Sequence, residues 1–375
     1  MMAVTSLPLP AFAADATVGE EIAISAERFP DEQFRNYISE QLDSDGDNML
    51  SATECSEVVD LNVSQQGIAD LTGIDVFSKL QQLDCSGNTL SALDISGAAQ
   101  LLQLNCSANP DLSALKLPEK NGAFSFLVML DCSDCALTEL SLDSYALLGT
   151  LDCSGNQLAA LDISANSNLR TVDCSGNQLT MLDVSANSNL QTVNCSNNQL
   201  TTLNFSQNAK LEEVDCSGNQ LTELDVYNAL LQKLDCSENA LPSLFLSECS
   251  ALRELDCSQN QLVELDTTGL TLEILETAGN QRAIVPQPER AGAYSYDLNN
   301  LPELEQDRIT GWENASVKED AVNVLQIPAD TERVSYGYRL DSQQAVPVAT
   351  FTLTLQPDDC LLYTSPSPRD RQKSR

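Results

Sequence analysis

The densest chemistry in this sequence is the run Asp43-Ser44-Asp45-Gly46-Asp47-Asn48-Met49-Leu50-Ser51-Ala52-Thr53-Glu54. Asp43, Asp45 and Asp47 alternate, Met49 and Ser51 continue the alternation, and Glu54 closes it. Three carboxylates, the Met49 carbonyl, a water held by Ser51 and a bidentate Glu54 form a dense shell of oxygens. Such a shell replaces the water around a hard cation, and calcium is the ion it suits. Other chemistry is scarce. The chain has no histidine, so the commonest general base and metal ligand is missing. Its 19 Lys and Arg stand against 55 Asp and Glu, a net charge of −36. That field repels nucleic acid and anionic lipid, and it favours cationic partners, divalent metal or neutral ligands.

The run matches the twelve-residue calcium loop of the EF-hand, with Asn48 where that loop has glycine at its sixth position. The position needs a left-handed backbone, which asparagine tolerates. Phe34, Tyr37, Ile38 and Leu42 recur at helical spacing, so a helix is expected before the loop and a short one after it. A single loop points to a structural clamp, since sensors pair two hands to open a groove.

From Val58 onward the sequence repeats. Leu148-x-x-Leu151-Asp152-Cys153-Ser154-Gly155-Asn156-Gln157-Leu158 returns from Leu169 with Cys174 and Asn177, and similar copies follow from Leu190, Leu211, Leu231 and Leu252. The cysteines at 85, 106, 132, 153, 174, 195, 216, 236 and 257 mark a period of mostly 21 residues, with one step of 26 that places an inserted loop around Pro118–Phe126. The pattern resembles the leucine-rich repeat, with Cys at its third apolar position. Within that class it is similar to bacterial surface proteins with nested 21-residue repeats, whose second half-repeat corresponds here to Leu161-Asp162-Ile163-Ser164 and Leu182-Asp183-Val184-Ser185. The resemblance implies a solenoid with a parallel sheet and few helices, used for binding outside the cell.

One turn can be reasoned from its residues. In Leu-Asp-Cys the strand alternates, so Leu and Cys face inward and Asp outward. Stacked turns then bury one continuous core that no single turn could bury. Asn88, Asn109, Asn156, Asn177, Asn198, Asn219, Asn239 and Asn260 fall at the bend, where their amides can satisfy backbone groups left unpaired. Cys135 and Cys249 sit in register at asparagine positions. The cysteine column reads as buried free thiols, and Cys55 as the one exposed to oxidation. The outward aspartates form an acidic column, of which Asp152, Asp173, Asp215, Asp235 and Asp256 are candidates for a ligand-facing surface. Like charges stacked at ~5 Å repel and need an offset from solvent, counterions or hydrogen bonds.

Residues 1–13, ending in Ala11-Phe12-Ala13, read as the back half of a secretory signal peptide. Residues 14–57 form a helical cap with the calcium loop, 58–282 the solenoid, and 283–359 a small β-sandwich with Trp312 in its core. A turn over Asp341–Ala345 joins two of its strands, and residues 360–375 have the composition of a sequencing-adapter artefact. No stretch is apolar enough for a membrane span, and no carboxylate pair is set apart for catalysis. The expectation is a secreted or cell-surface monomer, not an enzyme, that binds a protein or glycan ligand. The competing expectation is a spacer that projects other domains.

Overall fold

The computed structural model describes residues 21–118, 125–289, 293–319, 321–340 and 348–356. The expected signal peptide, the middle of the expected insertion, the expected turn over Asp341–Ala345 and the expected artefactual tail lie outside those residues. The chain divides into two compact units, Met1–Asp235 with Glu248–Leu252, and Cys236–Ser247 with Arg253–Arg375. This division falls inside the repeat array rather than at its end.

The first unit is a β-solenoid whose stacked turns share a parallel sheet. Its strands are only three residues long: Asp60–Asn62, Gln82–Asp84, Gln103–Asn105, Met129–Asp131, Thr150–Asp152, Thr171–Asp173, Thr192–Asn194, Glu213–Asp215 and Lys233–Asp235. Neighbours pair in parallel with equivalent residues opposite one another, as in Leu130↔Leu151 and Val172↔Val193. The middle residue of each strand points inward, and Leu130, Leu151 and Val172 are fully buried. The second half-repeats form strands at Ala92–Asp94 with Ala114–Lys116, and at Thr202–Asn204 with Glu223–Asp225. The half-repeats at Leu161 and Leu182 make turns instead.

The asparagine column closes each bend. Asn177 Nδ2 donates to the carbonyls of Cys153 (2.9 Å) and Cys174 (3.1 Å), while its Oδ1 accepts from Leu158 N at 2.9 Å. One side chain thus satisfies backbone groups of two turns, which makes it expensive to remove. Cys135 donates its Sγ to the Cys106 carbonyl at 3.4 Å, as Asn156 Nδ2 does to Cys132 O at 2.8 Å. The thiol works here as a weak donor, so the register survives the change of residue. A second column, Asn166, Asn187 and Asn208, is fully buried in the other half of the turn. Asn187 Nδ2 donates to Ile163 O and Asn166 O, and Cys249 occupies the same position, bonded to Val226 O at 3.5 Å.

A cap precedes the first strand. Helix α1 (Glu32–Gln41) starts at Asp31, whose Oδ1 accepts from Phe34 N and whose Oδ2 accepts from Ala69 N in the first turns. Phe34 and Ile38 are its buried face, and Phe34 meets Phe29 edge-on at 5.9 Å. Gly73 lets Phe29 lie close: its φ is +103°, and a Cβ there would fall 2.4 Å from the Phe29 ring.

The second unit holds the strands Glu254–Asp256 and Ile274–Glu276, paired in parallel, and a region of two four-stranded sheets. One contains Gln281–Ile284, Val348–Leu355, Arg333–Arg339 and Ile309–Glu313; the other contains Gln287–Pro288, Tyr294–Asp297, Ala321–Ile327 and Ser316–Lys318. Arg282, at a leucine position of the repeat, lies instead in the first of these strands, opposite Leu353. Tyr336, Tyr338, Phe351 and Leu353 fill this core. Trp312 is half-buried, its ring 4.8 Å from that of Tyr336. The region seals the last repeat turn. Val263 is fully buried, and its carbonyl accepts from the Tyr336 hydroxyl. Arg308 is 3% exposed yet fully engaged, donating to Asp266, Glu305 and the carbonyls of Arg339 and Leu340. A buried guanidinium is tolerable only with such a set of partners. No helix among the described residues is long and apolar enough to cross a membrane.

Candidate functional site

The loop that joins α1 to helix α2 (Ala52–Glu57) folds around its own carboxylates. Asp43, nearly buried, accepts from Gly46 N (2.8 Å) and Asn48 N (2.9 Å). Asp45 accepts from Asp47 N at 3.2 Å, and Asp47 from Met49 N at 2.8 Å. These short bonds curl the backbone, with Gly46 at φ +74° and Asn48 at φ +62°. Asn48 therefore takes the left-handed conformation that its place in the loop demands. One oxygen from each of Asp43, Asp45 and Asp47 comes within 4.8 Å of the others. The crowding raises the pKa of Asp45. The Asp47 N–H holds it down, but desolvation and the charges of Asp47, Glu54 and Asp43 outweigh that bond.

Glu54 is placed differently. Its Oε1 accepts from Ser44 N and Oγ, both at 2.7 Å, and its Oε2 from Ser51 N and Oγ, both at 2.8 Å. Hydrogen bonds from Ser51 and Ser44 hold its carboxyl at about 2. With Ser51 it also makes a capping box at the start of α2. Glu54 thus ties the two ends of the loop together, while the three aspartates face one another. Met49 and Leu50 pair antiparallel with Ala23 and Ile22, which anchors the loop to the preceding segment rather than to a second hand. Of the residues expected around a cation, the structure gathers Asp43, Asp45 and Asp47. Met49 and Ser51 follow along the same backbone, and Glu54 closes the loop through hydrogen bonds. The donor set is all oxygen and fits a hard cation. In this arrangement calcium would be held by the three aspartates and would supply charge neutralisation and cross-linking.

The acidic column is equally ordered but works otherwise. Asp131, Asp152 and Asp173 lie opposite one another in register, followed by Asn194, Asp215 and Asp235. Asp131, Asp152, Asp173, Asn194 and Asp215 are each bound to the serine two residues on. Asp152 Oδ1 accepts from Ser154 N (3.0 Å) and Oγ (2.6 Å), and Asp173 and Asp215 repeat the pattern with Ser175 and Ser217. In the second unit Asp256 accepts from Ser258 N. Asn194 keeps the turn with Ser196 and donates its Nδ2 to Asp173 Oδ2 at 2.8 Å. From Asp131 to Asp215 the offset to the stacked charges is thus a local turn bond. It is incomplete at Asp152, whose pKa is raised by burial and by Asp173 and Asp131, against the Ser154 bonds. At Asp162, in the exposed second half of the same turn, the Ser164 bonds win and the pKa is lowered.

Beside this uniform column stands a variable one. The first residue of each of these strands also faces outward, and it reads Asp60, Gln82, Gln103, Met129, Thr150, Thr171, Thr192, Glu213 and Lys233. The core periodicity drew attention to the constant positions. The signal that could have found this column is its failure to repeat.

All twelve described cysteines are buried. That includes Cys55, expected to be exposed, which turns inward from α2 at 7% exposure. A six-residue helix is too short for its buried face to be read from spacing. The column thiols donate to the next turn, as in Cys132 Sγ to Asp152 O (3.5 Å) and Cys174 Sγ to Asn194 O (3.6 Å). Burial pushes Cys174 up to about 12, and its neighbours in the column upward as well. These thiols are inert at neutral pH.

Residues 188–229 match the family model described as leucine-rich repeats in two copies. No curated protein matches the chain. Among solved structures, InlP of Listeria monocytogenes is 17% identical, covering 90% of this chain and 99% of its own, with a TM-score of 0.49. An internalin, InlF, from the same organism is 19% identical over 70% of this chain and 92% of its own, with a TM-score of 0.44. The functional domain of InlJ from Listeria monocytogenes, described as including a cysteine ladder, is 18% identical over 91% of this chain and 100% of its own, at a TM-score of 0.32.

Proposed function

We propose that this protein is an extracellular binding module, exported to the cell surface or the medium. Its solenoid presents an outward face to a protein or glycan ligand, and a calcium ion at Asp43, Asp45 and Asp47 clamps the cap that seals the first turn. The observation that carries the binding reading is the contrast between the two outward columns. The strand-final column is Asp or Asn throughout the first unit, and from Asn62 to Asp215 each member accepts from the serine two residues on, which closes the turn of its own strand. The strand-initial residues are under no such demand, and they vary from Gln to Met, Thr, Glu and Lys. A spacer needs only the first column. A recognition surface needs the second, because specificity comes from side chains that differ along the face.

The test is binding of the full chain, in calcium, to an immobilised panel of soluble extracellular proteins and glycans, followed by interferometry. The expected result is at least one saturable partner whose affinity falls when strand-initial residues are exchanged between turns. Absence of any partner, or binding indifferent to those exchanges, supports the spacer instead.

A further inference from the structure

The outward columns change character at two adjacent turns. Just before the strand, successive turns carry Val128, Gly149, Arg170, Gln191 and Glu212; at the strand start they carry Met129, Thr150, Thr171, Thr192 and Glu213. Two residues before the first of these columns they carry Phe126, Leu147, Asn168, Asn189 and Lys210. The polar members satisfy one another, as Lys210 Nζ does with Asn189 Oδ1 at 2.7 Å. Val128, Met129 and Leu147 instead stand 45%, 43% and 43% exposed. Folding does not ask for them, because Leu127, Leu130, Leu148 and Leu151 already fill the core of these turns at full burial.

Gly149 adds an independent observation. It is not among the positive-φ glycines, and a Cβ built on it would meet only Val128, at 3.7 and 3.9 Å, an ordinary contact. Neither backbone nor packing requires glycine there. Its missing side chain leaves a notch beside Val128, between it and the position of Arg170 in the next turn. Two residues along the same strands, on the same face, lie Asp131, Asp152 and Asp173.

We infer that Val128, Met129, Leu147 and the Gly149 notch form a docking patch for a cationic segment of a partner protein, one that inserts a bulky apolar side chain while flanking Lys or Arg meet the aspartate column. The inference rests on the binding-module reading and adds where and what the module binds. Charge complementarity selects the occupant. A second copy of this chain would bring another −36 charges against the same aspartates.

The experiment is selection of a random twelve-residue peptide library, displayed on phage, against the immobilised full chain. The selected peptides are then synthesised and titrated against three proteins: wild type, V128Q/M129T and G149Q. The substituted residues are those of neighbouring turns or their close equivalents, and unchanged thermal melting confirms that the fold is kept. Expected are peptides with an aromatic or aliphatic residue beside Lys or Arg. They should bind at least tenfold more weakly to both variants, and more weakly in high salt. Peptides that bind all three proteins alike overturn the patch but leave the binding-module reading standing. No enriched peptide overturns the patch as well, and the wider reading then stands or falls on the panel of extracellular partners. Self-association in sedimentation that V128Q/M129T abolishes would make a second copy the occupant and overturn the inference.

Discussion

The cap loop and the solenoid face both concentrate aspartate, and they do so to opposite ends. In the loop, Asp43, Asp45 and Asp47 are two residues apart on a backbone curled through two left-handed residues, so their carboxylates converge on one point. In the face, Asp131, Asp152 and Asp173 are one full turn apart on extended strands, so their carboxylates run in a line. Each line member has a serine donor of its own. The loop members have only backbone N–H groups within the loop itself, and at Asp45 the Asp47 N–H is outweighed by desolvation and the surrounding charge, which leave its pKa raised. Curvature, not composition, decides whether a set of acids asks for a cation or only for a turn bond.

The largest expected effect breaks this comparison if it fails. Calcium at ~100 times its dissociation constant should stabilise the protein by about 2.7 kcal/mol, because it binds the folded loop and not the unfolded chain. Calorimetry should find one site. Asp45→Asn should abolish the heat and the rise in melting temperature while leaving the metal-free protein at least as stable as wild type, since it removes crowding and keeps an acceptor for Asp47 N. Asp173→Asn should leave calcium binding unchanged. Heat that survives Asp45→Asn, or that Asp173→Asn removes, would place the ion on the face instead.

A smaller effect separates acceptor from charge on the face. Asp215→Ala loses the bonds from Ser217 N and Oγ and should cost about 1 kcal/mol in urea denaturation. Asp215→Asn keeps the acceptor, as Asn105 does with Ser107 and Asn194 with Ser196, and should fall within about 0.5 kcal/mol of wild type. Equal losses for the two variants would mean that the charge itself matters to the fold.

Much of this was legible from residues alone, and the reason is repetition. A leucine, a cysteine and an asparagine returning every 21 residues fix strand, core and bend at once. They do so firmly enough that Cys135 and Cys249 could be placed in asparagine positions before their thiols were seen bonded to the expected carbonyls. The left-handed backbone at Asn48 followed from its place in the loop. What escaped depends on distance or on local detail. A bond to a nearby serine was one of several offsets open to the aspartates, and the turn geometry selects it, with the serine two residues on. The second asparagine column shares the period, and only its member Asn187 was legible, as the position that Cys249 shares. Arg282 lies in a strand whose partner, Val348–Leu355, is some seventy residues away, a pairing no local pattern announces. The inward turn of Cys55 belongs to a helix with too few residues to show a face.

The finest test compares two aspartates of one turn. Asp152 has its pKa raised by burial and its column neighbours, so its charged form is disfavoured by folding; Asp162 has its pKa lowered by Ser164, so its charged form is favoured. For Asp152 the folded state holds its proton more tightly than the unfolded chain, and stability falls as pH rises from the ordinary aspartate value through the raised one. For Asp162 the contribution is complete above the ordinary value and is lost as pH drops through the lowered one. At neutral pH, Asp152→Asn should therefore raise the melting temperature slightly, helped by an amide that can donate to a neighbouring carboxylate as Asn194 does to Asp173. Asp162→Asn should lower it slightly. Both differences should vanish at a pH below both titrations, where wild type carries neutral acids at these positions. If the two variants shift the melting temperature in the same direction at neutral pH, the serine bond rather than the column charge governs both sites, and the line of aspartates is no more strained than its isolated counterpart.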